Sequence, residues 1–110
     1  MPYPAITAEG NLVDEVELRV FNDKSCAMLR IACNGRKKNE QGEWVSTDPI
    51  YLNASVWGKA AENTSAIFKK GDPVVLTGVL RQRSYTTKEG VNRTVDEISI
   101  DTIASPVKRY

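Results

Sequence analysis

Apolar side chains recur at every second position through most of this 110-residue sequence, and at helical spacing only once. A two-residue period places alternate side chains on opposite faces of a strand, so the chain is bound to be built mainly from half-buried strands. Ile50–Trp57, IYLNASVW, shows the pattern best. Ile50, Leu52, Ala54 and Val56 form one aliphatic face, and Tyr51, Asn53, Ser55 and Trp57 form the other. DPVVLTGVLRQRSY, residues 72–85, begins as an apolar strand and then sets Arg81, Arg83 and Tyr85 on one face. Two guanidiniums and a phenol do not make a core face. They make a solvated edge, or a surface for something flat and negatively charged.

Three further runs read as strands. AITAEGNLV, residues 5–13, contains Gly10, which marks a bulge or bend; Glu17–Phe21 alternates and extends this strand past a kink. After turn residues at 22–25, CAMLRIAC at 26–33 is mostly buried, with Leu29, Ile31 and Cys33 on one face. RTVDEISIDTIA at 93–104 returns after a TTKEGVN hairpin connection, where Gly90 supplies the positive φ. Residues 34–49 are polar and rich in turn formers, which predicts a long loop or mobile hairpin. GKAAENTSAIFKKG at 58–71 is the helix candidate. Ala60, Thr64, Ile67 and Phe68 fall at helical spacing, Lys69 and Lys70 in the last turn, and Gly71 at the cap.

The expected order is strand, strand, strand, helix, strand, strand. That order matches an all-β, five-stranded OB-fold barrel with one short helix between strands 3 and 4. It gives one domain over residues 1–104 and a short tail over 105–110, where Pro106 ends pairing. No apolar run approaches the roughly 20 residues of a membrane helix, and the start lacks the pattern of a signal peptide.

Catalysis is hard to assemble from these residues. Histidine is absent, neither cysteine has an activating basic neighbour, and no carboxylate spacing singles out an acid–base pair. Two cysteines without histidine argue against zinc, and nothing points to a cofactor. Cys26 and Cys33 lie about 23 Å apart along one strand, beyond disulfide reach, and read as reduced, core-facing thiols of a cytosolic protein.

Binding is easier to build. Net charge is only +1, but residues 36–93 hold ten Lys or Arg against six Asp or Glu, whereas residues 1–30 hold three against five. Local potential rather than net charge steers a ligand. Rings at Tyr51, Trp57 and Tyr85 interleave with Arg81 and Arg83, and Lys59, Lys70, Arg93 and the loop bases Arg36, Lys37 and Lys38 add to the set. Bases of single-stranded nucleic acid stack on such rings, and cations take its phosphates. A structural reading stands beside each residue. Arg81 and Arg83 also suit protection of an edge strand, Tyr85 a cross-strand pair, Trp57 a lid between helix and core, and Arg36–Lys38 a solvated turn. Trp44 reads equally as a stacking ring or as an anchor for its loop.

GNL at 10–12, ELR at 17–19, GEW at 42–44, VWGKAAEN at 56–63, KKGDPVVLTGVLRQRSY at 69–85 and KEGVNRT at 88–94 together resemble the bacterial and phage single-stranded DNA-binding family, from about Ile6 to Ile103. GEW, AAEN and RQRSY look most like actinobacterial members or their phages. The resemblance implies a non-enzymatic homotetramer of OB-folds, dimerising through the first strand and coating single-stranded DNA without sequence preference in replication, recombination and repair, in the cytoplasm at the nucleoid. It places stacking rings at Tyr51, Trp57 and Tyr85, and phosphate contacts at Arg36, Lys59, Lys70, Arg81 and Arg83. Three departures accompany it: Arg36 stands where an aromatic is usual, DEV replaces DP before ELR, and with the sequence stopping at Tyr110 the acidic tip that recruits replication proteins is not expected. An OB-fold protein-docking module and a cold-shock-type RNA binder are the alternatives.

Overall fold

A computed structural model describes residues 3–107; the last three positions of the expected tail, 108–110, lie outside the described residues. Eight strands and one helix follow one another as β1 (Ala5–Leu12), β2 (Glu17–Phe21), β3 (Lys24–Cys33), β4 (Arg36–Lys38), β5 (Trp44–Ser46), β6 (Ile50–Trp57), α1 (Lys59–Ile67), β7 (Pro73–Thr86) and β8 (Asn92–Ala104). Five of them close a ring. β1 pairs with β7, β7 with β8, β8 with β6, β6 with β3, and β3 returns to β1. All these pairings are antiparallel except β6 with β8. This is the five-stranded OB-fold expected from the strand order, with the helix after its third barrel strand.

The core fills the ring with alternate residues of each strand. Ile31, Val74, Leu76 and Ile98 are fully buried, joined by Leu12, Ala27, Leu29, Ala54, Val56 and Ile100. Closure needs backbones to approach. A Cβ on Gly10 would meet the Ala32 carbonyl oxygen at 2.5 Å, and one on Gly78, beside a register shift at Thr77/Gly78, would meet that of Ser99 at 2.1 Å. Gly10 thus marks close contact between β1 and β3, as glycine inside a strand often does.

Glu17–Phe21 carries the first strand on past a kink at Val13–Val16, as expected: β1 lies opposite Ile31 and Ala32, β2 opposite Lys24–Met28, both antiparallel to β3, and β2 then joins β3 in a hairpin. Its two-residue turn, Asn22 and Asp23, has both φ angles positive at 48° and 65°, the arrangement of a type I′ hairpin. Of the two alternatives expected for the 34–49 segment, loop or hairpin, the structure has the hairpin, with β4 paired to β5. Other expectations need correction. The helix stops at Ile67 because Phe68 turns to extended geometry and buries its ring. Lys69 and Lys70 therefore lie beyond the last turn, in a bend where the Asp72 carboxylate accepts the Lys69 N–H. The buried helical side is Ala61 and Thr64, continued by Phe68, while Ala60 and Ile67 are exposed. The Thr64 hydroxyl donates to the Ala60 carbonyl at 2.7 Å, so its burial leaves no orphan donor. On β6 the aliphatic face holds at Ala54 and Val56 but Ile50 is 63% exposed, and Ser55 of the other face is buried.

Candidate nucleic-acid interface

The outer face of the sheet is best followed in rows across the strands. One row runs Arg81 (β7), Glu97 (β8), Asn53 (β6) and Arg30 (β3). The next runs Val79, Ser99, Ser55, Met28 and Glu17, and beyond it Trp57 lies beside Cys26 and Arg19. In the other direction Arg83 faces Val95 and Tyr85 faces Arg93 along the projecting β7–β8 hairpin, while Tyr51 sits beside Ala32. The period of two, carried across a common register, therefore gathers rings and cations from four strands onto one surface. The reverse side of the hairpin is different: Gln82 donates to Asp96 at 3.0 Å and the Thr86 hydroxyl to Asn92 at 3.0 Å, with no ring among them.

Tyr51, Trp57 and Tyr85 are 51%, 49% and 49% exposed. Each has a neighbour on this face. The Arg30 guanidinium lies 5.0 Å from the Tyr51 ring centre, and Phe21 meets Trp57 at 5.9 Å with the rings tilted by 51°. Tyr3, before β1, carries Arg81 over its ring at 5.0 Å. A groove of about 470 Å³ lies between Trp57 and Phe21 on one side and Arg81, Gln82 and Arg83 on the other, with Cys26, Met28, Ser55, Glu97 and Ser99 also lining it.

The floor contains one carboxylate. Glu97 accepts the Ser55 hydroxyl at 2.8 Å and stands 3.7 Å from Arg83. Burial, and secondarily the Glu97 charge, push the Cys26 thiol above its ordinary value. Beside the groove a second cleft of about 280 Å³ sets Asp14, Glu15, Glu17 and Glu97 against Arg30 and Arg83, so its charge is mixed.

The remaining sequence candidates lie elsewhere. Arg36 and Lys37 point to opposite sides of the exposed β4–β5 hairpin; Lys38 lies 5.5 Å over the ring of Trp44, itself 60% exposed. Lys59 opens the helix, and Lys70 follows it, its N–H donating to Glu15 at 3.3 Å. Neither lines the groove. Cys26 departs from the core-facing expectation: it is buried, but under the groove rather than inside the ring. Sequence reasoning missed Phe21, Arg30, Glu97 and Tyr3. Phe21 and Arg30 carried a parity signal, each being two residues from another outer-face position. Glu97 shared the parity of Arg93 on its strand, but its place beside Ser55 depends on the parallel β6–β8 register, which the sequence does not declare.

The family model for the single-strand binding protein family matches residues 5–105. The chain belongs to that family. Among its relatives, single-stranded DNA-binding protein 2 of Streptomyces coelicolor is 39% identical over 94% of this chain and 53% of its own length. The single-stranded DNA-binding protein of Paenarthrobacter nicotinovorans is 43% identical over 96% of the chain and 62% of its own. The chain thus spans between half and two thirds of these relatives. The crystal structure of the small single-stranded DNA-binding protein from Streptomyces coelicolor superposes with a TM-score of 0.83, covering 97% of both chains at 24% identity, a likeness of fold.

Proposed function

We propose that this chain binds single-stranded DNA by stacking bases on Tyr51, Trp57 and Tyr85 and taking phosphates on Arg81, Arg83 and Arg93, as a coat in replication, recombination and repair. One observation carries the reading: three half-exposed rings share one sheet face with these guanidiniums. Exposed rings favour a single strand, because a duplex keeps its base faces stacked inside. Arg83 leads from the groove to Tyr85 along the hairpin, and Arg30, 5.0 Å from the Tyr51 ring, offers a cation on the way to Tyr51, whereas Asp14, Glu15 and Glu17 at the edge of that second cleft repel phosphate. Arg36, Lys37, Lys59 and Lys70 serve phosphates outside the groove, on the hairpin and at the two ends of the helix. Assembly as a homotetramer fits the same reading. Ala5–Gly10 of β1 pair with β7 along one edge, and among the described residues their second edge takes no strand partner; it is free to pair with a second copy. A place at the nucleoid follows from such a ligand.

Titration with oligo-dT tests this directly. Tryptophan emission is expected to fall on binding. The double variant Trp57→Ala/Tyr85→Ala is expected to lose about 2–5 kcal/mol of binding free energy from two lost stacks, with its melting temperature little changed because both rings are exposed. Undiminished DNA binding by the folded double variant sinks the reading and favours a protein-docking face. A stronger grip on poly-U than on poly-dT turns it toward RNA.

A further inference from the structure

The groove end beneath the β2–β3 turn differs from the rest of the face. Phe21 and Trp57, tilted at 51° with centres 5.9 Å apart, form an open corner rather than a closed stack. Cys26 and Met28 give it an apolar floor, and Arg81 and Arg83 stand across from it. Its volume, about 470 Å³, falls in the range of small-ligand sites, about 300–1,000 Å³. Glu97 lies between the apolar and cationic sides, its orientation fixed by the Ser55 hydroxyl at 2.8 Å.

A phosphate cannot rest on that carboxylate. A strand crossing here must turn its phosphates toward the arginines and a base inward. An ionised carboxylate only accepts hydrogen bonds. Cytosine and adenine offer an exocyclic amino group, whereas thymine offers carbonyl oxygens on either side of a single N–H. We infer that this corner is a base-reading subsite, taking one nucleotide of a single strand with its base against Phe21 and Trp57 and its amino edge on Glu97. The inference rests on the DNA-binding reading and adds a composition bias to it.

The experiment compares dissociation constants for dC, dA and dT homo-oligomers of equal length, at fixed salt, in the full chain and in Glu97→Gln and Phe21→Ala. A neutral amide both donates and accepts, so Glu97→Gln removes the preference without removing volume. The ratio of dC to dT affinity is expected to fall about 5-fold or more, the low end of base-edge discrimination, and the dA to dT ratio to fall in the same direction. Taking ratios cancels any general gain from removing a negative charge. Phe21→Ala, on an exposed strand, is expected to weaken dC binding about 5-fold, as for one lost stack, and this holds the proposal to account even should Glu97→Gln fail to fold. Unchanged ratios, equal weakening of all three oligomers by Glu97→Gln, or an unaffected Phe21→Ala overturn the subsite while leaving the DNA-binding reading in place. Failure of the wild-type chain to bind any oligomer overturns both.

Discussion

Cys26 and Cys33 are seven positions apart on β3, an odd separation that sends them to opposite faces of the sheet. Cys33 packs against the core and Cys26 lies beneath the groove. Burial raises both thiols above the ordinary value of 9.0, and for Cys26 the Glu97 carboxylate adds to it. A raised value means less thiolate at neutral pH and hence a poor nucleophile. Iodoacetamide is therefore expected to modify native Cys26 far more slowly than a free cysteine peptide at neutral pH, with the difference vanishing in guanidinium. Mass spectrometry of the alkylated peptide reads this, and equal rates refute it. The sign carries over to stability. The unfolded chain loses these protons first as pH rises, so the contribution is intact below pH 9 and is lost above it. Parity also explains what was legible at this scale: Arg81, Arg83, Tyr85, Tyr51 and Trp57 fall on one face because each alternates with core positions, and Arg30 obeys the same rule inside a run whose apolar neighbours hid it.

The five barrel strands were legible because each carries enough alternation to declare its face, and the helix because only one segment has its period. What escaped lay where local signals compete with packing. Lys69-Lys70-Gly71 imitates a helix ending, yet burial of the Phe68 ring ends α1 earlier. The break between β1 and β2 spans only Val13–Val16, with no glycine or proline, and both strands run antiparallel to β3, so the alternation of Glu17–Phe21 rightly read as the first strand carried on. Ring closure itself leaves its trace in Gly10. Because the Ala32 backbone oxygen occupies the space of a Cβ there, Gly10→Ala must push β1 off β3. We expect a loss of about 1–3 kcal/mol, as for overpacked cores, read as a lower denaturant midpoint. An unchanged midpoint would mean that the ring tolerates parting at this point.

At the scale of the whole molecule, a net charge of +1 conceals a polarised surface. The outer side of the β7–β8 hairpin carries Arg81, Arg83 and Arg93, while the reverse side shows Gln82, Asp96, Thr86 and Asn92. Steering follows the local field, so the proposed DNA ligand is expected to approach this side despite near neutrality. Each phosphate neutralised on a single strand contributes about −0.7 to the slope of log affinity against log salt. Three to five contacts on this face and its flanks predict a wild-type slope of about −2 to −3.5. Two of those contacts are assigned to Arg81 and Arg83, so Arg81→Gln/Arg83→Gln is expected to flatten the slope by about 1.4. Lys88, which lies in the turn after Thr86 and has no role in the proposed path, serves as control, and Lys88→Gln is expected to leave the slope alone. A uniform drop for any lost cation would show that DNA senses only overall charge. A flattening confined to the arginine pair would tie the phosphate track to the face that holds the rings.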